Sequence, residues 1–166
     1  MDIVLDCDIV STLAKIDRID ILVDLFKHSR LVIPNAVYVE LLEAGKMGFT
    51  FPRKIFNSKI ELATMSQQEL DDFEKTVKNP KIHSGEAEGI TIARNRTGVF
   101  LTNDRVAVKF CEQEDIAVLD LKDILRLVAK KRIVNETEMM QIIKDIEVKD
   151  NTVIVETNEI FVEYEN

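Results

Sequence analysis

Val99-Phe100-Leu101-Thr102-Asn103-Asp104-Arg105 is the stretch on which the fold turns. Three apolar residues followed at once by polar ones suit a short strand buried on both faces, with its carboxyl end at the threonine. Working outward, residues 103–113 read as a helix, Ile116-Ala117-Val118-Leu119 as the next strand and residues 120–131 as the next helix. Strand and helix therefore alternate, which predicts an α/β fold of three layers, with helices on both faces of a mostly parallel central sheet.

The N-terminal half repeats the pattern. Ile3-Val4-Leu5 is a short apolar run ending on Asp6, and Leu13, Ile16, Ile19, Ile21, Leu22, Leu25 and Phe26 recur at helical spacing with a break between Lys15 and Asp20. Leu31-Val32-Ile33 is a second strand, and Pro34 suits the first turn of a helix carrying Val37, Val39, Leu41 and Leu42, with Gly45 as its stop. Residues 46–58 lapse into a loop or short helical excursion, and Ile60-Glu61-Leu62 reads as a short strand. Ser66 with Glu69 has capping-box spacing, and Ser84 with Glu88 stands near the start of a helix running to about Asn95. Residues 136–146 read as a helix, whereas Thr152-Val153-Ile154-Val155 and Ile160-Phe161-Val162-Glu163-Tyr164 are β-rich runs that predict a hairpin around 156–159. The expected division is residues 1–134 as the main domain and residues 135–166 as an acidic extension packed on it.

The composition is that of a globular protein, 46% hydrophobic and 31% charged, with no run approaching a membrane span. Acid near the N-terminus, at Asp2 and Asp6, argues against a secretory leader, so the expected location is the cytoplasm and no membrane partner is expected. Cys7 and Cys111 have neither the number nor the spacing of a zinc site or a disulfide framework. The net charge of −8 weighs against a nucleic-acid partner until its distribution is considered: residues 132–166 hold nine acids and three bases, leaving 21 acids against 19 bases in the rest.

Ligands of parallel α/β sheets collect at the carboxyl ends of the strands. Asp6 directly follows its strand and Asp104 follows Val99-Phe100-Leu101 after two residues, so both stand at that edge. Glu40, on the helix after Ile33, and Glu86, at the start of the helix before Val99, reach the same edge if their strands are neighbours. Carboxylates brought together repel strongly and divalent cations relieve the repulsion; oxygen ligands without His or Cys favour Mg²⁺ or Mn²⁺ over zinc. Each acid alone also has an ordinary reading, Asp6 and Asp104 as helix caps, Glu86 and Glu88 as acids at the positive end of a helix and Glu40 as a solvated residue.

Taken in order, Leu5-Asp6-Cys7-Asp8-Ile9-Val10, Ile33-Pro34-Asn35-Ala36-Val37-Tyr38-Val39-Glu40-Leu41, Ser84-Gly85-Glu86-Ala87-Glu88 and Leu101-Thr102-Asn103-Asp104-Arg105 resemble the signature set of PIN domains over residues 1 to about 131. These metal-dependent nucleases include type II toxin ribonucleases. The resemblance implies Mg²⁺ or Mn²⁺ chemistry on RNA, with Asp6, Glu40, Glu86 and Asp104 as the catalytic and metal-binding acids. It implies that Thr102 positions the last carboxylate or a water. Two positions depart from the pattern: residue 8, often small and polar in the family, is Asp8, either an outer ligand or a helix cap, and Glu88 competes with Glu86 as third acid. For a toxin, the resemblance further implies a small antitoxin partner and a homodimer.

Lys46, Arg53, Lys54 and Lys59, among Phe49, Phe51 and Phe56, form a candidate RNA-facing flap, and Arg105 a candidate backbone contact; a solvated loop pinned by core phenylalanines is the alternative. Arg94, Arg96 and Lys109 are further cations expected near the acidic edge. The expected function is a metal-dependent endoribonuclease; its rival is a catalytically silent PIN-fold module that binds RNA or protein.

Overall fold

A computed structural model describes residues 1–165; Asn166, the last residue of the expected extension, lies outside the described residues. The strands are β1 (Asp2–Leu5), β2 (Arg30–Ile33), β3 (Glu61–Leu62), β4 (Val99–Leu101) and β5 (Val118–Leu119). They form one sheet in the order β3-β2-β1-β4-β5, and every pairing is parallel. The helices are α1 (Cys7–Lys15), α2 (Asp20–Leu25), α3 (Asn35–Lys46), α4 (Phe51–Phe56), α5 (Gln67–Thr76), α6 (Ser84–Asn95), α7 (Arg105–Gln113), α8 (Leu121–Lys130), α9 (Glu136–Asp150) and α10 (Asn158–Phe161).

Alternation along β1 divides the interior. Ile3 and Leu5 face a cluster with Leu13, Leu22, Leu41 and Ile124, from α1, α2, α3 and α8. Val4 faces the other way, with Val32, Phe100, Ile90 and Ala107 against α6 and α7. Three layers follow, because strands buried on both faces need a helical cover on each.

Gly89 permits a close approach between layers. A Cβ there would fall 2.4 Å from the Phe100 ring, which is itself 1% exposed and has no room to retreat. The glycine in α6 is therefore a spacing residue, and it lets that helix lie directly on β4.

The N-terminal rim of the sheet carries an ion network. Arg96 donates to Glu69 Oε1 at 2.6 Å and to Asp2 Oδ2 at 3.2 Å, and Arg30 donates to Asp2 Oδ2 at 2.8 Å. Hydrogen bonding from Arg96 holds the Glu69 carboxyl below its ordinary value of 4.5. Burial works to raise Asp2, but hydrogen bonds and charge from Arg30 and Arg96 leave it below 3.8. Both folded values are depressed, so this stabilisation is complete above about pH 4.5 and is lost as the pH falls through the folded values. We expect Arg96→Gln to flatten the acid limb of the stability curve, measured by urea denaturation between pH 7 and pH 3; an unchanged pH dependence would contradict this. Arg96 therefore lies at the opposite end of the sheet from the acidic edge, a correction to its expected place.

The tail also departs from expectation. Residues 152–155 pair with no strand, and the second β-rich run is α10 followed by a 3-10 turn, Val162–Tyr164. Strand propensity largely expresses how a side chain packs, and here packing decides for a helix. Ile160, Phe161 and Tyr164, at i, i+1 and i+4, form one helical face against the core, and Ile160 is fully buried. The Tyr164 hydroxyl donates to the Val134 carbonyl at 2.9 Å. Met139, Ile142 and Ile146 of α9 join the same cluster as β1 and α1. No helix among the described residues is long and apolar enough to cross a membrane.

Candidate active site

Strands β2 and β3 lie to one side of β1, while β4 and β5 lie to the other. The chain thus reverses its winding between β1 and β4, and the helices that follow these strands diverge from that point and leave a crevice at the carboxyl ends. A cleft of about 840 Å³ opens there, lined among others by Asp6, Asp8, Glu40, Glu86 and Asp104. Parallel pairing aligns Leu5 with Leu101, and the Asp6 backbone N–H donates to the Leu101 carbonyl at 2.9 Å, so both strands release their acids at one level.

Thr102 ties these acids together. It is fully buried; its hydroxyl donates to Asp6 Oδ2 at 2.7 Å and accepts from the Asp104 backbone N–H at 3.1 Å. The other Asp6 oxygen accepts from Cys7 N–H at 2.8 Å, capping α1, and Asp104 Oδ1 caps α7 by accepting from Val106 and Ala107. The ordinary cap reading is therefore realised for both, each carboxylate giving one oxygen to a helix start while it lines the cleft. Glu86 Oε2 accepts from His83 N–H at 3.1 Å. Glu40 reaches the cleft because α3 lies on α6 beside Gly85, whose hypothetical Cβ would sit 3.6 Å from Glu40 Oε1.

Burial raises the Asp6 carboxyl above its ordinary value, against the hydrogen bonds from Thr102 and Cys7, and the charges of Glu40 and Asp104 add to the rise. Burial likewise raises Glu86, with Asp104 and Asp6 contributing. Asp8 is pushed up to about 7, first by burial and then by Asp6. Its oxygens accept from the Ile9 and Asn103 backbones, so Asp8 fastens the start of α1 to the loop after β4. Burial pushes the Cys7 thiol up to about 12, which leaves it a poor nucleophile.

The donor set suits a hard divalent cation: carboxylate oxygens, raised first by burial and further by one another's charge, in a cleft open to solvent. Among the described residues, no three His, Cys, Asp or Glu side chains stand close enough to share one ion as they are oriented. Asp6, Glu86 and Asp104 each have an oxygen engaged on backbone N–H groups, and Glu40 is solvent-exposed.

Glu88 is elsewhere. It is 7% exposed, and its two oxygens accept from Asn35 and Ala36 N–H at 3.1 and 2.8 Å, so it caps α3 from across the fold. Two residues apart on one helix, Glu86 and Glu88 face about 200° apart, one into the cleft and one under α3. Glu88→Ala strands two helix-start donors, and we expect about 1–3 kcal/mol of destabilisation in urea melts, with Mn²⁺ affinity unchanged. A weakened Mn²⁺ affinity would return Glu88 to the site.

The expected basic flap does not line the cleft. Lys46 pairs with Glu43, and Lys54 pairs with Asp17 and donates to the Ala14 carbonyl; Arg53 lies with Lys54 on α4. Arg94 pairs with Glu114. Arg105 lines an adjoining groove with Lys109. Lys15, Asp150 and Thr152, by contrast, line the cleft without having been singled out. Lys15 was within reach of a helical reading, since Asp8, Ser11, Thr12 and Lys15 follow i, i+3, i+4, i+7 spacing. Asp150 had no local signal, being placed there only by the packing of α9.

A family profile described as a PIN domain matches residues 2–156. The chain belongs to the PIN-domain family. The matched span runs past residue 134, so α9 and the segment after it fall within the PIN match. Over 128 residues the chain is 28% identical to an uncharacterized PIN and TRAM-domain containing protein, YacL, of Bacillus subtilis (strain 168). That match covers 72% of the chain but 33% of the relative, so the chain spans about a third of the curated relative's length. Among solved structures, VapBC-1 from nontypeable Haemophilus influenzae aligns with a TM-score of 0.56 at 19% identity, over 72% of this chain and 98% of that one. VapBC2 from Rickettsia felis, solved bound to a DNA fragment from their promoter, aligns with a TM-score of 0.57 at 16% identity, over 72% and 98%. At such identities the likeness is one of fold, and the PIN fold is that α/β/α sandwich.

Proposed function

We propose that this PIN domain is a Mg²⁺- or Mn²⁺-dependent endoribonuclease, with Asp6, Glu40, Glu86 and Asp104 as its acidic centre. The observation that carries the reading is their shared cleft at the reversal between β1 and β4, with Thr102 joining Asp6 to Asp104. A divalent cation bound there supplies charge neutralisation at the phosphodiester and a more acidic water for attack on phosphorus. The protein's part is placement: Thr102 fixes the two strand-end acids, Asp8 holds the loop that carries Asp104, and Lys15 offers a cation to the RNA backbone from the cleft wall. Mutual repulsion among the acids disfavours a closed arrangement without counter-charge, and Asp6, Glu40, Glu86 and Asp104 would draw together around a divalent cation that they hold.

On the toxin reading, a small antitoxin protein and a second copy of the chain are the partners, in the cytoplasm. The second reading, a PIN-fold module that holds RNA or protein without turnover, is favoured by the spread of the carboxylates as they stand. Incubation of single-stranded RNA with the protein and Mn²⁺ or Mg²⁺ separates the two. The nuclease reading expects cleavage that EDTA stops; intact RNA with either metal leaves the module.

A further inference from the structure

Asn151 takes up a left-handed conformation, with φ 55°, and ends α9 beside the cleft. The chain then runs through residues 151–157 without regular structure before α10 re-anchors it at Ile160. Two cations hold this strap. Lys15 pairs with Asp150 at 2.5 Å, and Asp150 also accepts from Thr12 and Thr152 at 2.6 and 2.7 Å. Lys122, at the start of α8, pairs with both Glu156 and Glu159, at 2.9 and 3.0 Å.

Beside the cleft, and sharing Asn103 and Thr152 with it, lies a groove of about 550 Å³. Its cations are Arg105, Lys109 and Lys122. Arg105 and Lys109 share a face of α7 at i, i+4, and among the described residues neither has an ion-pair partner. The opposing acids are Glu112, Asp120 and Glu156. Asp120 is engaged in capping α8, and Glu156 is supplied by the strap itself.

We propose that this groove is a track for the sugar-phosphate backbone of a single strand leaving the cleft, and that the carboxylates of Glu156 and Glu159 stand in for phosphates on Lys122 until the strand displaces them. The identity of the strand as RNA rests on the function proposed above. The arrangement suits a displaceable guard. Residues 152–155 make no strand pairing with the body, Val153 and Val155 are 68% and 58% exposed, and the Lys122 pairs are partly solvated and so weak. Asp150, held by Lys15, Thr12 and Thr152, and Ile154 and Ile160, packed on the core, anchor this stretch and confine the displacement to the Lys122 pairs.

The test uses the full chain, EDTA to prevent turnover, and a fluorescein-labelled single-stranded RNA of about twelve nucleotides, a length that spans a groove of this kind. Neutralising the guard with Glu156→Gln and Glu159→Gln frees Lys122 for phosphate. Affinity by fluorescence anisotropy is then expected to rise about fivefold, and the slope of log affinity against log salt to steepen by about 0.7. Adding Lys122→Gln should erase that gain, so that the substitution costs more affinity in the double-glutamine background than in the wild type. The proposal is overturned if affinity and salt slope ignore the two glutamates, if Lys122→Gln weakens both backgrounds equally, or if neither protein binds. Tighter binding by a chain that cuts no RNA would leave the strap standing and remove the nuclease; cleavage with binding indifferent to Glu156 and Glu159 would do the reverse.

Discussion

On the proposed nuclease function, Asp6→Asn is expected to lower RNA cleavage by about a thousandfold, equivalent to roughly 4 kcal/mol of transition-state stabilisation, while the melting temperature holds. The two halves of this expectation have separate causes. Loss of the carboxylate removes an acid from the centre of the cleft, where it is coupled to Glu40 and Asp104. The amide oxygen retains the cap on Cys7 N–H, so α1 keeps its start, while the NH₂ that replaces the other oxygen gives up the hydrogen bond from Thr102 and offsets part of the gain from losing the charge. Asp6 is raised above its ordinary value in the fold, so at neutral pH its charge works against folding, and its neutral replacement relieves that opposition. Parallel measurement of cleavage rate and thermal midpoint decides the matter. A fall in both would make Asp6 a structural cap, and full activity would remove it from the centre.

Phe100→Ala is the largest expected effect on stability. Phe100 pairs with Val4 and Val118 across the sheet, is 1% exposed, and fills the space that Gly89 leaves between α6 and β4. Its removal opens a cavity that α6 is not free to fill, and the expected loss is about 3–5 kcal/mol. For a chain of this size, that lowers the melting temperature by on the order of 10 °C. The companion variant Gly89→Ala drives a methyl into the ring and is expected to cost about 1–3 kcal/mol. Partial recovery in Gly89→Ala/Phe100→Leu, relative to Gly89→Ala alone, would mark the ring as the obstacle. A loss below about 1 kcal/mol in Phe100→Ala, measured by urea denaturation, would contradict the packing account.

The sheet was legible because its strands are short apolar runs ending on polar residues, a pattern that needs no tertiary information. The cleft was legible for the same reason: Asp6 and Asp104 sit where their strands stop. Spacing favoured Glu86 over Glu88 without excluding Glu88, since which face of α6 meets the cleft depends on the approach of α3. The β-rich composition of residues 160–164 concealed a helical triad, Ile160, Phe161 and Tyr164, whose value lies in contacts with distant residues. Lysines among aromatic residues suggested an RNA flap in 46–56. Lys54 is in fact spent on Asp17 and the end of α1, and Phe51 packs against the core under Lys15, whose ammonium lies 5.4 Å from the ring centroid. The partners of Lys15 and Lys122 are invisible to local reading, because Asp150, Glu156 and Glu159 lie far along the chain.

Crystals of the protein soaked in Mn²⁺ and measured for anomalous scattering test the central claim most directly. The account predicts a peak in the cleft between Asp6 and Asp104, with Glu40 or Glu86 turned towards it and Glu88 still bound to the start of α3. No peak there at saturating Mn²⁺, or a peak held by other side chains, would contradict it.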